Sequence, residues 1–439
     1  MKKLITLLSF SFFVLVSCSK DDPTVAAVPT ITTTQAVLSG ATVTVTWPVV
    51  AGTDITYNVY RNDNPVKINA VPLTEATYTD VLTAIGDYTY RITVNTAGLE
   101  SEKGTASEKV VFALPTAPVA QAVLNGGAIT VTWPAVAGTG ITYNIYKNGD
   151  PVKINASPLT EATYTDILTA TGSYTYTIAV NVAGLESEKG AASGKVVLAL
   201  PKTRIMESST STYNTKYEYA YTYDTSNIAK LVSVASKTTR TKISDQTVTV
   251  SNSIAKYTYA GDLITKIIYY SVDNVAGSSY EYVYNAKNQM TSLIRKKADG
   301  TINYTVNLTY DDNGRVTETS DYPNWGTWVY TYLAGNLVKY TYTLTQVGST
   351  NYVENSNSVF DTKNTYSKNI LGYNNTFTSS INNELSSSTT GGDGITTSSS
   401  SSRTEYTYDA NDYVLTRTEY TTTDSSTEMQ TEKSVYTYN

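Results

Sequence analysis

Side chains of two kinds alternate along most of this 439-residue chain, and no other feature limits the possible folds so strongly. In Tyr217-Glu218-Tyr219-Ala220-Tyr221-Thr222-Tyr223 every second residue is tyrosine. Val43, Val45 and Trp47 stand in the same relation, with threonines between them. A period of two puts the two sets on opposite faces of a β-strand. No long segment has the 3.6-residue apolar period of an amphipathic helix. Tyrosine, with 38 residues against 6 phenylalanines, and frequent threonine add side chains that favour strands. The expected fold class is all-β.

Thr44-Val45-Thr46-Trp47-Pro48 recurs as Thr130-Val131-Thr132-Trp133-Pro134, and the match runs on to Leu114-Pro115 against Leu200-Pro201. Each copy, residues 30–115 and 116–201, has the length of one small domain. Short alternating strands separated by turn residues read as a β-sandwich. The Trp on the second strand, Ile55-Thr56-Tyr57-Asn58-Val59-Tyr60 on the third and Gly86-Asp87-Tyr88-Thr89-Tyr90-Arg91-Ile92 near the sixth resemble a fibronectin type III domain of the immunoglobulin-like class. That resemblance puts Tyr88 and Tyr174 at a tyrosine corner, bonded to backbone upstream. Trp47 and Trp133 fall where the core should be, so the copies read as a stalk rather than as ligand platforms.

From residue 202 to 439 a different unit recurs: Tyr-x-Tyr, a turn rich in Asp, Asn and Gly, then an alternating return strand. Clear instances begin at Tyr221, Tyr257, Tyr282, Leu308, Tyr330, Tyr406 and Tyr436, with a drifted copy at Val359-Phe360-Asp361. Each unit is a β-hairpin. Since lone hairpins are marginal, the units should join into one large meandering antiparallel sheet, either open or closed into a barrel. Tyr310-Asp311-Asp312-Asn313-Gly314-Arg315-Val316 resembles the YD repeat of Rhs-type proteins. With so few units and no cargo domain, their shell-and-toxin role is not implied. The repeats are closer to lipoprotein domains of unknown function with a porin-like β fold. Neither face of the tyrosine strands suits lipid along its length, so the tyrosines should pack inward or stack along the sheet, with Thr, Ser, Glu and Lys outward. Ser386 to Ser402, around Gly391-Gly392-Asp393-Gly394, is expected to be a long flexible loop or weak edge strands.

The chain opens Met1-Lys2-Lys3 and continues with an apolar run from Leu4 to Val16, too short to span a bilayer. Leu15-Val16-Ser17-Cys18 resembles the lipobox of bacterial lipoproteins, which implies a signal peptide over residues 1–17 and a lipid on Cys18. Cys18 is the only cysteine, so no intrachain disulfide exists. Ser19-Lys20-Asp21-Asp22, within the 18–29 linker, resembles the export signal of Bacteroidota-type surface lipoproteins. The implied location is the outer membrane, facing outward, with the membrane as partner through the anchor.

No histidine occurs, which removes His-based triads and imidazole metal sites. The net charge of -6 argues against nucleic acid as a partner. Neither a cofactor nor a metal is expected, and Asp311, Asp312 and Asp409 fit turn chemistry. The chemistry left open is a carboxylate pair of the glycosidase kind. Tyr322, Trp325, Trp328 and Tyr330 form an aromatic cluster suited either to capping a hairpin or to stacking on a ligand such as a sugar. The preferred expectation is a non-catalytic surface lipoprotein that binds or adheres, to a glycan or to a surface protein. The alternatives are a glycan-binding accessory of polysaccharide uptake and a structural envelope protein.

Overall fold

A computed structural model describes residues 28–312, 315–323, 325–345, 351–375, 380–423 and 428–439. Cys18 and the expected signal peptide lie outside the described residues. Among those described, the regular structure is strand except for a 3-10 turn at Tyr373–Asn375, and the all-β expectation holds. The chain divides into two compact units, one built around residues up to Pro115 and the other around the rest.

In the first unit, Gln35–Ser39, Thr42–Thr46 and Thr77–Val81 make one antiparallel sheet. Thr56–Arg61, Tyr90–Thr96 and Leu99–Glu100 make a second. The alternation reads directly into the core, because Val43, Val45, Tyr57, Val59, Ile92 and Val94 are all buried. Each such side chain contributes roughly 1.5–3 kcal/mol when fully buried. Trp47 is 6 % exposed and meets Tyr57 edge-on, with ring centroids 5.4 Å apart. Its indole N–H is buried without a partner, so the ring serves packing. The Tyr88 hydroxyl donates to the Ala84 carbonyl at 2.7 Å, the expected corner.

The second copy repeats these features: Trp133 packs on Tyr143 at 5.4 Å, and Tyr174 donates to the Ala170 carbonyl. Both tryptophans therefore belong to cores, as their place in the strand pattern requires.

From Pro201 onward, sixteen described strands form a single antiparallel meander. The sheet closes into a barrel where Pro201–Ser209 pairs with Met429–Tyr438. Register fixes the faces. Arg204 pairs with Tyr219, Tyr219 with Ser236 and Ser236 with Ser253, so these four share one face. Arg204 also lies against Tyr366, which belongs to a segment inside the barrel, so that shared face is the lumen. The expected inward tyrosines are found there.

The tyrosine hydroxyl explains why phenylalanine does not replace it. In successive units the second tyrosine of Tyr-x-Tyr reaches back one hairpin to the start of an earlier return strand. Tyr284 donates to the Ile264 carbonyl at 2.8 Å, Tyr310 to Met290 at 2.7 Å and Tyr438 to Val414 at 2.8 Å. Tyr259 accepts from the Leu231 N–H at 3.0 Å. At the same position the ladder shifts register, between Thr222 and Tyr223, Thr258 and Tyr259, Val283 and Tyr284, and Thr407 and Tyr408. Bulges of this kind bend a strand and raise its twist, which helps the sheet close. The turn acids act as expected: Asp409 accepts from the Asn411 and Tyr413 N–H groups and Asp311 from Arg315.

Two expectations need correction or completion. Residues 386–402 are not a loose loop; they fall within the paired strands Glu384–Gly392 and Thr397–Tyr408, with only a tight turn at Asp393. Serines supply few apolar contacts, but both strands have neighbours on each side, and Ser387 and Ser402 hydroxyls bond across the ladder at 2.7 Å. Composition suggested disorder, and complete backbone pairing overrides it. The outer face carries ion pairs, with Lys216 and Lys237 on Glu218 at 3.1 and 3.5 Å, and Lys266 and Lys296 on Glu281 at 2.9 and 2.7 Å. A lipid-facing barrel needs a continuous apolar band about 25 Å tall. Where these ion pairs stand, the wall interrupts such a band.

Candidate functional site

One end of the barrel is stopped by its own chain. Between Tyr352–Phe360 and Glu384–Gly392 lies a long excursion instead of a turn. Its described residues bond to hairpin turns around the same end. The Leu371 N–H donates to the Ala229 carbonyl at 2.8 Å, Asn364 to Asp412 at 3.0 Å and Ile381 to Gly335 at 3.3 Å. The Asn375 amide reaches the Asn288 carbonyl at 3.3 Å. Gly372, with φ +70°, lies so close to the Asp262 carbonyl that a Cβ would come within 2.5 Å of it. The segment is therefore a plug that crosses the opening.

Beneath the plug the lumen is filled. Tyr366 stacks on Tyr436 at 5.1 Å, and the Arg204 guanidinium lies 5.5–5.7 Å from the rings of Tyr219, Tyr366 and Tyr436. Glu432 accepts from Arg204 at 3.2 Å and from Arg417, which also holds Glu419. Burial pushes the Tyr366 phenol far above its ordinary value. These groups pack together inside the barrel on the plug side.

Toward the opposite end the lumen wall is aromatic, and the residues singled out in the sequence converge there. Trp328 and Tyr330 sit on Thr327–Leu333 and face inward, their rings stacked 6.1 Å apart. Trp328 also meets Tyr340 at 5.2 Å and Tyr342 at 4.4 Å, and Tyr342 meets Tyr352 at 6.3 Å. Trp325, in the preceding hairpin loop, folds back onto Tyr304 at 5.5 Å. Tyr322 touches both rings edge-on and is 47 % exposed at the loop. The cluster faces the lumen over several strands and packs against the core of Met290, Val306, Leu308 and Val316.

The sequence reading missed the acids behind this wall. Glu318 is 1 % exposed; it accepts from Trp325 Nε1 at 2.6 Å and from the Tyr330 hydroxyl at 2.9 Å. Burial raises its carboxyl above the ordinary range, against the pull of those two bonds. Burial and Glu318 together raise Tyr330 strongly, and burial takes Tyr332 to about 12. Glu354 accepts from Tyr340 at 2.8 Å and Tyr352 at 3.2 Å. The register held the missing signal, since Glu318 pairs with Leu308 and Trp328 and so had to face the lumen.

Tyr304, Trp325, Trp328 and Tyr340 are partly buried and pack against a core of Met290, Val306, Leu308, Val316 and Tyr330, so the cluster joins apolar ring surface to phenol hydroxyls and carboxylates. Among the described residues no group of three or more His, Cys, Asp or Glu side chains is placed to hold a metal ion.

No family model matches this chain, and no curated protein does. Solved structures with some likeness include a porin-like protein from Bacteroides uniformis ATCC 8492, at 10 % identity and a TM-score of 0.30, over 54 % of this chain and 96 % of that one. They also include the FN1-FN3 domains of chicken CNTN1, at 12 % identity and a TM-score of 0.19, over 62 % of this chain and 99 % of the other. Likenesses at this level bear on neither ligand nor activity.

Proposed function

We propose that this is a non-catalytic binding protein of the cell envelope, held by a lipid on Cys18 at the outer membrane and facing outward. The two sandwiches act as a stalk, and the aromatic part of the barrel lumen takes a saccharide ligand. The observation that carries this reading is the lumen wall of Tyr304, Trp325, Trp328, Tyr340, Tyr342 and Tyr352. Pyranose C–H groups stack on such ring faces, and Glu354 with the neighbouring phenols offers partners for hydroxyls. The plugged end supports binding over passage, and the charged outer wall supports a barrel that stands in water rather than in lipid. The lipid anchor rests on the Leu15-Val16-Ser17-Cys18 sequence. The Glu318 carboxylate is buried with both oxygens engaged by Trp325 and Tyr330, which favours binding over hydrolysis.

The test is a glycan array probed with the full chain carrying Cys18→Ser. The substitution itself should move the protein from the membrane to the soluble fraction. Binding of specific glycans that disappears in Trp328→Ala supports the reading. Membrane retention of the Cys18→Ser chain contradicts the anchor, and an array without signal contradicts the saccharide.

A further inference from the structure

Glu318 is a buried acid placed directly behind the aromatic wall. No ion pair to a described lysine or arginine involves it, although an unpaired carboxylate in such a place is costly. Its two oxygens instead hold two aromatic side chains from different places: Trp325 from the hairpin loop and Tyr330 from the next strand. The Tyr330 ring is 5 % exposed and fixed by its ladder, whereas Trp325 lies outside any strand. Trp325 packs against the core of Met290, Val306, Leu308, Val316 and Tyr330 and against Tyr304 and Tyr322, and its indole N–H is held by this one strong bond.

We infer that Glu318 is a positioning residue for the lumen site: its carboxylate fixes the Trp325 indole in the wall, and ligand affinity depends on it although it touches no ligand. The inference rests on the proposed saccharide site. Fixing a ring before the ligand arrives removes the entropy of ordering it on binding. A carboxylate does this better than a neutral acceptor, because charge-assisted bonds are shorter and roughly twice as strong.

The titratable groups around Glu318 are phenols: Tyr330 and Tyr332 on the following strand, Tyr310 on the preceding one, and Tyr340 beyond Tyr330. All four are raised above their ordinary value, by burial first. Arg295 on the same face lies over Tyr280 and Tyr304 at 5.7 Å. As pH falls from neutral, Glu318, and none of these phenols, is therefore the group that changes charge.

The experiment uses the full chain carrying Cys18→Ser and labelled with 5-fluorotryptophan. Its four tryptophans give separate fluorine signals, with Trp325 assigned through Trp325→Phe. In Glu318→Ala the Trp325 signal is expected to shift or broaden while those of Trp47 and Trp133 stay fixed. Affinity for an array-positive glycan should fall at least tenfold. In Glu318→Gln, which keeps a carbonyl acceptor and nearly the same shape, both effects should be much smaller. An unchanged Trp325 signal in Glu318→Ala overturns the positioning role whether or not any glycan binds. A shifted signal with unchanged affinity overturns the link to binding. Changes in the Trp47 and Trp133 signals would show general unfolding and overturn the local assignment; then Glu318→Gln titrated against wild type as pH falls from neutral decides, since only wild type should show a Trp325 shift. If no glycan binds wild type, the saccharide reading falls and the fluorine signal alone decides the role of Glu318.

Discussion

A phenol hydroxyl is all that separates tyrosine from phenylalanine, and this barrel uses it at one recurring position. Tyr284, Tyr310 and Tyr438 each donate to a carbonyl at the start of an earlier return strand, at a place where the ladder slips register. A bulge leaves backbone groups unpaired, so the hydroxyl satisfies an acceptor that the sheet does not. Replacing any of the three with phenylalanine should cost about 1 kcal/mol. Urea denaturation of the single variants measures it, and no loss in all three would reduce the tyrosines to apolar filling. At this scale the sequence was half legible. Alternation in Tyr217-Glu218-Tyr219 predicted which face the rings occupy. It did not reveal the acceptors, because Tyr284 and Ile264 meet only after consecutive hairpins have paired. The same holds for Glu318, whose place behind Trp325 and Tyr330 follows from strand register, not from local composition.

Strands rich in serine and threonine show how an element can be set by its neighbours. Thr397–Tyr408 buries little apolar surface, yet it pairs along its length with Glu384–Gly392 on one side and Val414–Thr423 on the other. Proline in such a central strand removes a ladder hydrogen bond and clashes with the pleat. Ser400→Pro, paired with Thr389 in the middle of one ladder and with Thr423 at the end of the other, should destabilise the barrel by about 3 kcal/mol. Ile395→Pro, at the exposed turn next to Gly394, should cost far less; a thermal melt of both variants tells them apart. Equal tolerance would mean that residues 386–402 are as loose as their composition suggested. The plug was not legible either. Asp361-Thr362-Lys363-Asn364 looked like one more turn, and Asp361 does accept from the Lys363 N–H. What distinguishes it is the segment that follows, anchored where buried Asn369 donates to the Ala199 carbonyl at 3.0 Å and to the Tyr413 hydroxyl at 2.6 Å. Those partners lie far away in sequence.

The whole barrel is a closed wall around a lumen that changes from the plugged end to an aromatic one. Buried acids in this lumen give the molecule a characteristic response to pH. Burial raises Glu384, with Glu419 adding to the rise and Arg417, Ser358 and Ser387 opposing it. A carboxyl whose folded value is raised contributes its stability fully below the unfolded value of about 4.3 and loses it as pH rises through the folded value. Glu384→Gln should therefore raise the melting temperature at pH 7 by a few degrees at most, with the advantage vanishing near pH 4. A variant less stable than wild type at pH 7 would mean that the attraction of Arg417 outweighs burial. The overall plan of two sandwiches followed by a tyrosine-rich sheet was readable from repeats and alternation. Closure of the sheet was not, since it depends on Pro201–Ser209 finding Met429–Tyr438 at the other end of the domain.

The central claim is that ligand binds inside the barrel, on the aromatic wall, and not on the outer surface. Trp328 and Val329 are neighbours on one strand and face opposite sides, as do Tyr342 and Thr341. Calorimetric titration of an array-positive glycan into the four single alanine variants compares the faces directly. The account predicts at least a tenfold loss of affinity in Trp328→Ala and Tyr342→Ala, with Val329→Ala and Thr341→Ala close to wild type. Loss confined to the outward pair, or equal in all four, would contradict it.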